Sequence, residues 1–207
     1  KQYDNPHSLT FWIDFARRAA LGGFSLYANL HFAEFMLRIG CAEYSVLRIL
    51  RPLVVQKLRK PWVWLSVSDV FPCSDIRHKA CLLFALNCTR YVDDSRCLIV
   101  FWRLANHYRM EGDSERCRYF VNRLWRSGNA YRSEILSQFP DLLDDDTHEY
   151  VPDYNFNYKD ICHRIFQNIS DADSALWNSI ADFVSDYVLS HNTQQPGLPS
   201  PNNIKPA

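Results

Sequence analysis

Three turn positions, Gly40, Asp75 and Gly112, recur along the chain at separations of 35 and 37 residues. Each follows an apolar stretch in which a large residue directly precedes a small one, with a bulky residue three positions on. The fullest copy has Phe101, Leu104-Ala105 and Tyr108 before Gly112, then Cys117 and Val121 after it. A second has Trp64, Val67-Ser68 and Phe71 before Asp75, then Ala80 and Phe84. A third has Phe32-Ala33 and Met36 before Gly40, then Ser45 and Ile49. Spacings of three and four put these residues on one helix face. The small residue lets a second helix approach closely, and the large ones fill the groove between them. One hairpin cannot bury its apolar face alone, so neighbouring hairpins must stack. The chain is therefore expected to be all-α and built from antiparallel helical hairpins.

This pattern resembles the tetratricopeptide (TPR) and half-TPR helical repeats over residues 26–127. Departures are Leu124 where a small residue is usual, Asp75 in place of the turn Gly, and Asn29 and Pro52 in the first copy. The resemblance implies a short solenoid with extra capping helices and a concave groove lined by the first helix of each unit. On that basis Trp102, Asn106 and Arg109 would face the groove in the third unit, and Arg38 in the first. The Lys/Asn carboxylate clamp of chaperone-binding members has no counterpart, because Leu30 and Glu34 stand at those places. A competing frame uses Trp12, Phe15-Ala16, Ala19, Gly23 and Ala28, and would pair the first two helices instead.

Caps and breakers divide the chain further. Helices are predicted from Ser8 or Thr10 to Leu21, from Ser25 to Gly40, and from Ala42 to Lys57 with a kink at Pro52. Others run from Pro61 to about Phe71, from Ser74 or Asp75 to Arg90, from Ser95 to Glu111, and from Asp113 to Ser127. Residues 130–139 form one more. The expected organisation is a repeat region over 1–139, an acidic loop over 140–157, a helical cap over 158–190 packed on the repeats, and a disordered Pro/Asn-rich tail over 191–207.

Charge is unevenly distributed. Residues 1–132 hold 20 Lys+Arg against 11 Asp+Glu, and residues 133–207 hold 3 against 12. Arg103, Arg116, Arg118, Arg123 and Arg126 alternate with Trp102, Tyr108, Tyr119, Phe120 and Trp125. Guanidinium groups beside aromatic faces suit single-stranded RNA, and equally an acidic peptide. Asp144, Asp145, Asp146 and Glu149 form the acidic counterpart. The segment from Asp141 to Asp153 is expected to lie against the Arg-rich surface as a weak, salt-sensitive cover.

Motifs for catalysis are missing: no Gly-rich phosphate loop, GxSxG, HExxH or CxxC occurs. His78, Cys81 and Cys88 share a helix but lack the paired short spacing of a zinc site, and the acidic run lacks the Gly of a calcium loop. Cys162 and His163 are adjacent and point apart on a helix. No cofactor, metal or catalytic residue is expected. Seven Cys without framework spacing suit a reducing, intracellular (cytoplasmic or nuclear) setting. No apolar run is long enough to span a bilayer. The expected function is a non-catalytic adaptor for a protein or peptide partner, an acidic one included; the alternative is an RNA-binding or RNA-processing repeat protein.

Overall fold

Helix punctuation in the sequence is reproduced closely in the computed structural model, which describes residues 6–22, 26–89, 97–127, 132–142, 152–153 and 155–192. Ten α-helices and no strand occur among them. They are α1 (Pro6–Ala20), α2 (Leu26–Arg38), α3 (Glu43–Lys57), α4 (Pro61–Ser68), α5 (Ile76–Thr89), α6 (Cys97–Glu111), α7 (Ser114–Arg126), α8 (Arg132–Gln138), α9 (Tyr158–Gln167) and α10 (Ser174–Asn192). A 3-10 turn spans Pro140–Leu142. Pro61 occupies the first turn of α4, where its missing N–H has no intrahelical role. α3 continues through Pro52 as one helix. Gly112 turns the chain between α6 and α7 at φ +74°, a left-handed conformation that a side chain would strain. The Asp113 carboxylate then caps α7 by accepting from the Arg116 N–H at 3.0 Å.

The chain divides into two compact units, one of residues 1–40 with 172–207 and one of 41–171. The boundary falls in the turn at Gly40, inside the first copy of the repeat pattern. In the first unit α1 packs along α10. Buried Ala16, Ala19 and Ala181 keep those two helices slim. Trp12 stacks on Phe35 at 5.4 Å, and Trp177 lies against Phe15 and Phe32. α1, α2 and α10 thus contribute rings to one aromatic core.

In the second unit α4 packs on α5 and α6 on α7, with α5 and α4 both touching α6. Trp64 stacks on Phe84 across the first hairpin at 4.2 Å, and its indole N–H donates to Leu58 O at 2.8 Å. Tyr108 stacks on Phe120 across the second at 5.8 Å. The small pair expected at the helix crossing is present: the Cys117 thiol donates to Ala105 O at 3.2 Å, and both residues are buried. The cap expected over 158–190 is divided between the units, with α9 on α5 in the second and α10 on α1 in the first.

The two hairpins are also tied by charge. The Arg103 guanidinium donates to both carboxylate oxygens of Asp69 and, at 3.2 Å, to Leu65 O at the end of α4. Charge-assisted pairs of this geometry exceed neutral hydrogen bonds in strength. Arg103→Gln is expected to destabilise the second unit by about 1–2 kcal/mol, measured as a lower urea midpoint. An unchanged midpoint would mean the strut carries no net stability.

A buried histidine pair sits between α5 and α6. His78 and His107 have ring centroids 5.8 Å apart. His78 Nδ1 lies 2.9 Å from Ser68 O, which accepts its proton. His107 Nε2 is 3.2 Å from Glu111 Oε1, and Lys79 Nζ holds the other Glu111 oxygen at 2.8 Å. Burial holds the His107 pKa below its ordinary value; the Glu111 charge opposes this, while His78 and Lys79 reinforce it. The unfolded chain therefore binds a proton at this site more readily than the folded one. The resulting stability is complete above the unfolded His value of about 6.5 and is lost as pH falls through that value towards the lower folded one. Urea midpoints measured from pH 8 to pH 5 should fall more steeply for the native chain than for His107→Gln. Equal slopes would contradict this reading.

Candidate functional site

α3 and α9 both lie beside the start of α5, and the three leave an open cleft of about 510 Å³. Leu47 and Tyr44 come from α3, Ile76 and Arg77 from α5, and Ile161 and Ile165 from α9, with Ile169 just beyond α9. Spacings of three and four bring Tyr44 and Leu47 to one face of α3, and Ile161 and Ile165 to one face of α9. Ile76 is 59% exposed and Tyr44 53%, although both are large and apolar. Charge rings this floor. Arg77 is held by Glu43 at 2.5 Å and by Asp75 at 2.7 Å, and also lies over Phe71 at 4.2 Å. These two carboxylates hold its guanidinium pKa above the ordinary value, with Asp75 the larger contributor. Arg48 lies 6.0 Å from the Tyr44 ring centroid and donates to Asp171 O at 2.9 Å. Arg164 pairs with Asp160 at 2.9 Å.

A second, smaller cavity of about 280 Å³ opens between α5, α6, α7 and the start of α9. Its walls include Phe101, Tyr119 and Tyr158, and its polar groups include Asn87, Arg123 and Asp153. The Arg123 guanidinium lies over the Phe101 ring at 5.5 Å.

The residues singled out from sequence are distributed as follows. Trp102, Asn106 and Arg109 share one face of α6, where the end of α8 meets them. Trp102 sits edge-on to Phe139 at 5.8 Å, Arg109 donates to Gln138 O at 2.6 Å, and Asn106 donates to Trp102 O at 3.0 Å. Arg38 ends α2 and belongs to the other compact unit. Of the basic residues, Arg103 and Arg116 are engaged internally, with Asp69 and Asp113. Arg118 is half-buried, while Arg123 and Arg126 are exposed. Asp144, Asp145, Asp146 and Glu149 lie outside the described residues. Asp153, at the end of the acidic segment, lines the same cavity as Arg123.

The thiols and imidazole on α5 serve packing. Cys88 Sγ lies 3.7 Å from Leu58 O, and burial pushes its pKa up to about 11. Burial likewise raises Cys81, which neighbours Cys162 of α9. Thiols held protonated in this way are poor nucleophiles and metal ligands. No group of three or more metal-ligating side chains occurs among the described residues. None of their helices is long and apolar enough to cross a membrane.

The α3/α5/α9 cleft was not singled out from sequence. Its signal was available on α9, where Ile161 and Ile165 repeat at helical spacing, but their partners lie some 80 residues or more upstream. Comparison with protein-family models, with curated proteins and with solved structures gives no match to the chain.

Proposed function

We propose that this chain is a non-catalytic interaction adaptor: a TPR-like array of helical hairpins that holds an amphipathic helix of a protein partner. The observation that carries this reading is the α3/α5/α9 cleft, with Ile76 and Tyr44 more than half exposed above a floor of Leu47, Ile161 and Ile165. Exposed apolar side chains gathered in one concave patch mark association surfaces. A helix laid in such a groove contributes anchors at i, i+3 or i+4, and i+7. The stacking of α4–α5 on α6–α7, with Ala105 at the close approach, supports the repeat reading.

The test is affinity capture with and without nuclease, followed by mass spectrometry, for the native chain, for Ile76→Glu with Ile165→Glu, and for Met110→Glu as a control at an exposed site away from the cleft. Far-UV circular dichroism verifies equal helicity. Partners held by the native chain and by the Met110 control, and lost by the cleft variant, are expected. Partners retained by the cleft variant, or lost on nuclease treatment alone, would sink the reading.

A further inference from the structure

The smaller cavity gathers three polar groups that have no hydrogen-bond partner for their side chains among the described residues. Arg123 lies over the Phe101 ring at 5.5 Å, yet no acceptor among the described residues meets its N–H groups. The Asp153 carboxylate and the Asn87 amide line the same space. Flat apolar surface comes from Tyr119 and Tyr158.

This set specifies a complementary ligand. It must be planar enough to stack, because Phe101, Tyr119 and Tyr158 line the space beside Leu83 and Leu86. It must carry an anion, because no acceptor among the described residues meets the Arg123 guanidinium. It must also present N–H donors, because Asp153 can only accept. A guanine base offers two adjacent donors, its ring N1–H and its amino group, to a single carboxylate. Adenine offers only its amino group along the corresponding edge. The volume lies just below the roughly 300–1,000 Å³ of drug-sized ligand sites, which suits one nucleotide and excludes a dinucleotide.

We propose that the cavity between α5, α6 and α7 binds a guanine nucleotide, either free or as one unpaired residue of a single-stranded RNA. Arg123 holds the phosphate, Asp153 accepts from the base edge, and Tyr119 and Tyr158 flank the ring. The site is separate from the apolar cleft, so Ile76→Glu with Ile165→Glu leaves nucleotide binding unchanged.

The experiment is equilibrium dialysis of the full chain against radiolabelled guanosine monophosphate, guanosine and adenosine monophosphate. Guanosine monophosphate is expected to bind about tenfold or more tightly than either of the others, since a site built to hydrogen-bond a group rejects analogues lacking it. Arg123→Gln should bring its affinity down to that of guanosine. Asp153→Asn should bring it down to that of adenosine monophosphate. Both positions are solvent-accessible, and unchanged helicity by circular dichroism establishes that the variants fold. A hexauridylate carrying one internal guanosine separates the two sources. Tighter binding of this oligomer than of the mononucleotide assigns the site to RNA, and equal binding assigns it to the free nucleotide; both outcomes support the site. Absence of saturable binding at millimolar nucleotide would overturn the proposal, as would binding that neither substitution alters.

Discussion

Trp64→Ala is expected to destabilise the second unit by about 3–5 kcal/mol. Trp64 is among the largest fully buried side chains, stacked on Phe84 at 4.2 Å and edge-on to Phe166 at 6.4 Å. It therefore joins α4, α5 and the region of α9 in one contact. Removing the indole leaves a cavity whose walls belong to three helices, and Leu58 O loses its donor. Trp64→Phe keeps much of the stacking and loses the hydrogen bond, so it should cost only about 1–2 kcal/mol beyond the smaller ring's lost contacts. The measurement is urea unfolding followed by far-UV circular dichroism. A loss below 1 kcal/mol for Trp64→Ala would show that α9 and the first hairpin do not depend on this residue.

Ala105→Leu should cost about 1–3 kcal/mol through overpacking. Ala105 is fully buried, and its carbonyl lies 3.2 Å from the Cys117 thiol of the facing helix. A leucine side chain has no space there unless α6 and α7 separate, which would also pull Tyr108 away from Phe120. For a protein of this size each kcal/mol corresponds to roughly 2–4 °C in Tm. Leu104→Met, a volume-conserving change on the same helix, should move Tm much less. If Ala105→Leu leaves Tm unchanged, the repeat register is wrong.

The contrast between these two sites also explains how much of the fold the sequence made legible. The turn between α6 and α7 could be read from sequence, because its glycine and the large-small pair lie within a few turns of one another. α4 was harder. Its apolar pattern continues to Phe71, but the helix ends at Ser68, because Val70 and Phe71 turn inward instead and Arg77 covers the Phe71 ring. Local periodicity cannot separate a longer helix from a buried turn.

The basic residues illustrate the same limit. Composition alone made Arg103 and Arg116 equivalent to Arg123. The structure gives Arg103 a carboxylate 34 residues away and Arg116 one three residues away. Arg123 has Phe101 beneath its guanidinium instead. The Arg116 pair is local to the start of α7, whereas the Arg103 strut forms only once the hairpins stack. The apolar cleft depends on a long-range event too, the docking of α9 onto α5. Its two faces, Tyr44 and Leu47 on one side and Ile161 and Ile165 on the other, read in isolation as ordinary core stripes.

The adaptor reading is tested most directly by a photocrosslinking residue placed at Tyr44, in the cleft, and in a second chain at Met110, which is exposed elsewhere. Irradiation in lysate treated with nuclease should give a discrete, protein-sized adduct from position 44 and none from position 110. The adduct should disappear when Ile165→Glu is added. Adducts of equal yield from both positions, or none from position 44, would contradict the cleft as the surface through which this protein acts.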